Sequence, residues 1–169
     1  QEPEIVEKMR KEINRVIGDK VPKFEELVQL QYVQQVIQEG MRLYPPAYAV
    51  GRESIDSDVV AGYDIPKKSI VLISIYALHR DPRFYPNPDV FDPDRFQPNE
   101  VSTRPKLAYL PFGAGPRMCI GNHFAMMEMQ LLLTLLIQRF DFVWDDRVPV
   151  IKNALITMKP KNGVFVWVK

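Results

Sequence analysis

Cys119 is the only cysteine in the chain, and it lies in FGAGPRMCIG, residues 112–121. Gly113, Gly115 and Gly121 permit backbone angles and close approaches that other residues resist. The pattern predicts an apolar helix over 120–139 with Cys119 at its start. Free amides and the positive end of the helix dipole would favour a thiolate there. Arg117 adds a cation that could meet a ligand's carboxylate, and Phe112 places a ring at the loop's entrance. The apolar helix behind is expected to keep water out. A thiolate in a dry, donor-rich niche is a strong axial ligand for haem iron. The competing reading of a lone cysteine is a buried, inert thiol, since free cysteine is among the most buried residue types.

The loop fits F-x-x-G-x-R-x-C-x-G at all five fixed positions. Residue frequencies of a few per cent make a chance match on the order of one in a million per starting position, which favours the ligand reading. The pattern resembles the haem-binding signature of the cytochrome P450 family, the haem-thiolate monooxygenases. The resemblance implies that Cys119 is the axial ligand of the iron of haem b, that Arg117 contacts a haem propionate, and that Phe112 packs beside thiolate and haem. It also offers Arg52, on the first predicted strand, as a second propionate contact; the alternative is an exposed strand arginine.

A second motif is Glu39-Gly40-Met41-Arg42, of the form E-x-x-R. Three residues apart on a helix, Glu39 and Arg42 share one face, and spacing alone reads them as a solvated pair contributing about 0.2–0.5 kcal/mol. The family resemblance implies instead a buried pair joined by Arg95, from Phe91-Asp92-Pro93-Asp94-Arg95-Phe96, which resembles the family's P-E-R-F element. One carboxylate between two guanidiniums would form a structural charge trio that holds the frame and takes no part in the chemistry. His79, in His79-Arg80-Asp81-Pro82, reads as a structural hydrogen-bonding group. His123 with Cys119 falls short of the four ligands that a structural zinc site needs.

These residues require particular elements to position them. The fold class expected is mainly α with small β-sheets (α+β). Residues 1–44 read as helices carrying E-x-x-R, closed in part by Gly18 and stopped by Pro45-Pro46. Residues 45–74 read as a small antiparallel sheet, and 75–111 as a short helix and an irregular meander. The meander carries seven prolines from Pro82 to Pro111, but its interleaved aromatics argue for packing rather than disorder. The haem loop (112–121) and the last long helix (120–139) follow, then terminal strands in 140–169, near 140–143, 154–158 and 164–168. The whole chain, 1–169, reads as one C-terminal segment of the family's fold.

Composition fits a globular chain: 169 residues, 46% hydrophobic, 25% charged, net charge +1. That balance gives no reason to expect a nucleic-acid partner. One cysteine excludes a disulfide framework and any multi-cysteine cluster. No membrane segment is expected in this chain. It opens on Gln1-Glu2-Pro3-Glu4 and reads as a piece of a longer protein, expected to be inactive alone. The resemblance implies that the intact protein inserts one atom of molecular oxygen into a small apolar organic substrate. Electrons would come from a ferredoxin- or flavin-reductase-type partner. Ala47 to Val50 and the turn near Asn153 to Ile156 are candidate pocket walls, with ordinary strand packing the alternative. Two further readings are a peroxide-using or peroxide-rearranging haem-thiolate enzyme and a truncated, non-catalytic interaction module. A cytoplasmic location is the expectation for a bacterial-type protein.

Overall fold

In a computed structural model that describes residues 2–169, α1 (Pro3–Val16) starts on a proline, whose missing N–H would have had no partner at that position. The helix ends where Gly18 takes φ +69° and its amide bonds back to the Ile13 carbonyl at 3.2 Å. A single turn, α2 (Phe24–Leu27), precedes α3 (Gln31–Leu43), with residues 28–30 between them. The start of α3 is capped from outside its own strip of chain. Glu12 of α1 accepts hydrogen bonds from the amides of Tyr32 (2.9 Å) and Val33 (3.0 Å), satisfying donors that a helix start leaves free.

The next segment holds β1 (Ala49–Glu53), β2 (Asp58–Val60), β3 (Tyr63–Ile65) and β4 (Ile70–Ser74). They form two separate antiparallel ribbons rather than one sheet: β1 with β4, and β2 with β3. Ala61 (φ +51°) and Gly62 (φ +84°) make the turn of the second ribbon, the doubly left-handed geometry that suits a two-residue hairpin. The Ser74 hydroxyl accepts from the Ala77 amide at 3.2 Å and caps α4 (Ile75–Leu78). The meander follows, with a 3-10 turn at Pro93–Phe96, α5 (Pro98–Thr103) and another 3-10 turn at Lys106–Ala108.

The last long helix, α6 (Asn122–Arg139), begins three residues after Cys119, later than the sequence suggests. Gly121 occupies its N-cap and its carbonyl accepts the Ala125 amide at 2.9 Å, so the cysteine remains in the loop. β5 (Phe142–Trp144) pairs with β8 (Val166–Val168), and β6 (Lys152–Ala154) with β7 (Met158–Pro160). The strand expected over 154–158 is thus the tip of a hairpin, because the chain reverses between Ala154 and Met158.

The core lies between α1, α3 and α6, where Met9, Ile13, Leu30, Val33, Ile37, Met41 and Ile137 are buried together. α6 is apolar nearly all round. It buries Gln130, Thr134 and Ile137, while Leu132 and Leu136 stay exposed. A helix of that kind belongs to an interior.

Candidate functional site

The site is built outward from the end of α3. Glu39 and Arg42 are both 0% exposed, so the solvated pair that spacing alone suggested is instead a dry one. Arg42 Nε donates to Glu39 Oε2 at 2.6 Å and its Nη2 to Oε1 at 2.8 Å, a two-point fork. The guanidinium also reaches three backbone carbonyls: His79 (2.8 Å), Pro88 (2.6 Å) and Val90 (3.1 Å). Glu39 Oε1 accepts the Asp92 amide at 2.8 Å. Arg95, 12% exposed, brings its Nε to 3.7 Å from Glu39 Oε1 and 3.8 Å from Asp92 Oδ2. Those are ion contacts beyond hydrogen-bond length, and Arg95 Nη2 donates to the Asn87 carbonyl at 3.1 Å. The three charges expected to meet are therefore together, with the Glu39–Arg42 fork as the tight member.

His79 lies next to this frame, fully buried. The Leu110 amide donates to its Nε2 at 2.8 Å, which requires a neutral ring protonated on Nδ1. Burial is the main cause that lowers its pKa to about 4, and the Arg42 and Arg80 charges push the same way. Tyr109 stacks on the imidazole at 5.1 Å, meets Phe96 edge-on at 4.8 Å, and donates its hydroxyl to the Gln38 carbonyl at 2.9 Å. Burial raises the Tyr109 pKa well above its usual value. Tyr85, also buried, donates to the Ala108 carbonyl at 3.0 Å. Both tyrosines belong to the aromatics interleaved among the prolines that argue for packing, but their hydrogen-bond partners carry no sequence signal.

From Leu110 the chain enters the cysteine loop. The Gly113 amide bonds to the Leu110 carbonyl at 3.1 Å, and the Cys119 amide closes the loop on the Phe112 carbonyl at 2.9 Å. Gly113 (φ +74°) and Gly115 (φ +70°) hold left-handed backbone that a side chain would strain. Between them and the cysteine, Gly115–Arg117 forms a 3-10 turn. Phe112 is half-buried against the helical core, whereas Cys119 is exposed. The dry niche expected around the sulfur is therefore not formed by α6. That helix turns Gln130, Thr134 and Ile137 inward, and the loop precedes its first turn.

The residues next to the cysteine in sequence, Met118 and Ile120, are apolar and exposed, as is Phe124 on the first turn of α6. A Cβ placed on Gly121 would stand 3.9 Å from Cys119 Sγ, so glycine there keeps the flank of the sulfur clear. An exposed thiol among exposed apolar side chains fits a large apolar group laid over it. Arg117 is exposed on the same loop. Arg52 stands on β1 opposite Val71, and its Nη1 bonds only to the neighbouring Gly51 carbonyl at 2.8 Å. Among the described residues neither arginine has an ion-pair partner and no hydrogen bond joins Arg52 to the loop, so Arg52 is not brought to the site by direct contact. His123 is exposed on the first turn of α6. Among the described residues no group of three or more His, Cys, Asp or Glu could hold a metal ion.

Two segments proposed as pocket walls do meet. Tyr48 donates its hydroxyl to the Leu155 carbonyl at 2.8 Å, and the Met158 amide bonds to the Pro46 carbonyl at 2.9 Å. This leaves Leu155 and Ile156 exposed at the hairpin tip. A separate groove of about 660 Å³ runs between α1 and the terminal strands, lined by Ile5, Met9, Val36, Phe91 and Trp144 among others. Its wall is mostly apolar and, among the described residues, no ion pair joins its charged members Glu2, Lys152 and Lys159, so the cysteine loop is the better candidate.

The model of the cytochrome P450 family matches residues 1–167. Cytochrome P450 4F3 of Homo sapiens is 39% identical over 172 residues, covering 99% of this chain and 33% of its own length. Cytochrome P450 4A10 of Rattus norvegicus is 38% identical over 169 residues, covering 99% and 33%. The crystal structure of the cytochrome P450DA heme domain superposes with a TM-score of 0.92 at 31% identity, over 99% of this chain and 37% of that one. The chain spans about a third of the length of the curated relatives it matches.

Proposed function

The chain belongs to the cytochrome P450 family, and from that membership we propose that residues 1–169 form the haem-ligating segment of a monooxygenase, with Cys119 as the thiolate on the iron of haem b. The observation that carries this is the exposed Cys119 thiol on its glycine loop, in a stretch that also exposes Met118, Ile120 and Phe124. When bound, the haem supplies the redox chemistry that splits dioxygen and delivers one oxygen atom to an apolar organic substrate. The residues of this chain bind and orient. Cys119 presents its sulfur from the loop, and Gly121 leaves its flank open. Met118, Ile120 and Phe124 offer an apolar surface that a porphyrin would cover, shielding the sulfur from water. Phe112 anchors the loop's base in the helical core. Arg117 would hold one haem propionate and Arg52 the second. Glu39, Arg42 and Arg95 fix the meander from which the loop springs. Leu155 and Ile156 offer apolar contact to the substrate. Electrons would come from a ferredoxin- or flavin-reductase-type partner.

The test uses the intact protein loaded with haem, reduced and exposed to carbon monoxide. The wild type is expected to show the red-shifted absorbance band of a thiolate-ligated haem, and Cys119→Ser is expected to lose it. The same band in both proteins, or none in either, refutes the assignment.

A further inference from the structure

We propose that His79 is a positioning residue for the cysteine loop: its neutral imidazole, seated against the buried Glu39–Arg42 frame, holds the Leu110 amide and so sets where the Cys119 backbone stands. The inference rests on the function proposed above only for what the loop does, not for the contact itself.

The contacts form a short relay. At one end the Arg42 guanidinium donates to the His79 carbonyl at 2.8 Å. The His79 ring accepts from Leu110, 31 residues further along, at 2.8 Å. The Leu110 carbonyl accepts the Gly113 amide at 3.1 Å, and the Phe112 carbonyl accepts the Cys119 amide at 2.9 Å. Residue 109 is gripped as well, by ring stacking on His79 and by its hydroxyl on Gln38 of α3. The loop's N-terminal stem is thus tied to α3 and to His79 by directional bonds.

A packing role would not require a histidine. Nδ1 carries the ring proton and is buried without a bond of full hydrogen-bond geometry, the backbone of Arg42 and Met41 being the acceptors that bear on it. Phenylalanine would fill similar space with no ring nitrogen to satisfy. What the imidazole adds is an acceptor aimed at the part-buried Leu110 amide. The charged groups bearing on the ring are Arg42 and Arg80, both cations, which with burial keep it neutral and able to accept. Below pH about 4 the ring is protonated and cannot accept the Leu110 amide.

The experiment compares wild type, His79→Gln and His79→Phe in the intact haem-loaded protein. Glutamine can present an acceptor near the Nε2 position; phenylalanine cannot. Amide hydrogen exchange of peptides covering 108–121 is the primary readout. The phenylalanine variant is expected to exchange about tenfold faster at Leu110, Gly113 and Cys119, and the glutamine variant within about threefold of wild type. The fraction of haem showing the thiolate-type carbon monoxide band should follow the same order. As pH falls from 7 to 4, that fraction and the protection of Leu110 should decline earlier in wild type than in His79→Gln. Exchange at Leu110 unchanged in the phenylalanine variant overturns the proposal, as does equal acceleration in both variants. If His79→Phe does not fold, the acid profile of wild type against His79→Gln decides: coincident profiles overturn it. Absence of the thiolate band in wild type would refute the haem assignment, while the exchange data would still test the His79 contact.

Discussion

Replacing Glu39 by glutamine tests the frame directly. The change is nearly isosteric, so it alters charge and leaves volume intact. Glu39 and Arg42 are both 0% exposed and joined by bonds of 2.6 and 2.8 Å. Glutamine would retain one acceptor oxygen and point an amide donor at a guanidinium donor. It would also leave Arg42 buried with no counter-charge within the fork, and Arg95 without its 3.7 Å contact. Breaking a buried pair from one side typically costs about 3–5 kcal/mol, against about 0.2–1 kcal/mol for an exposed pair. Glu7 supplies an internal comparison. It pairs with Lys11 at 3.4 Å, with side chains 58% and 74% exposed. Urea titration of the protein is expected to show Glu39→Gln lower in unfolding free energy by about 3–5 kcal/mol, and Glu7→Gln within about 0.5 kcal/mol of wild type. Adding Arg42→Met to Glu39→Gln should recover only part of the loss. It removes the orphan charge but leaves the His79, Pro88 and Val90 carbonyls without donors. A cost for Glu39→Gln as small as that for Glu7→Gln would refute the claim that this pair organises the meander.

Two further outcomes follow from single contacts. Glu12→Ala should lower stability by about 1–2 kcal/mol in the same titration, because the carboxylate caps two amides at the start of α3 from another helix. Gly113→Ala should cost about 1–2 kcal/mol, since its φ of +74° is left-handed, whereas Gly121→Ala, at φ −88°, should change stability by less than about 0.5 kcal/mol.

The legible parts of the sequence were those where a short pattern carries its own physics. Met9 and Ile13 repeat at helical spacing and are buried; Gly18 ends α1 by taking a positive φ. The cysteine loop was recognisable because its glycines and its single thiol occupy fixed offsets. What spacing could not give was the burial of Glu39 and Arg42. An i,i+3 pair looks the same on a wet face and a dry one, and the deciding partners, the carbonyls of residues 79, 88 and 90, lie 37 to 48 residues away. Glu12 as a cap on α3 was hidden for the same reason, being 20 residues from the amide it serves. The exposure of Cys119 was misjudged because the apolar character of α6 does not say which way its faces turn. The strand expected over 154–158 failed on a scale of one or two residues, where β-prone side chains also occur in a tight hairpin.

A segment rich in proline has a particular accounting problem, and the arginines of this chain answer it. Each proline between Pro82 and Pro111 contributes a carbonyl acceptor and no amide donor, so the meander carries more acceptors than its own backbone can satisfy. No sheet ladder is available to an irregular path. The shortage is met by guanidinium groups, each holding five donors on one planar fork. Arg42 serves His79, Pro88 and Val90; Arg95 serves Asn87; Arg104 serves Arg95. Arg104 also lies over the Tyr85 ring, 4.5 Å from its centroid, so an aromatic face helps hold that cation in place. Glu39 and His79 work in the opposite sense and accept the amides of Asp92 and Leu110. Charged and aromatic side chains thus do here what a backbone ladder does elsewhere. An irregular chain can then hold one conformation up to Leu110, where the cysteine loop begins.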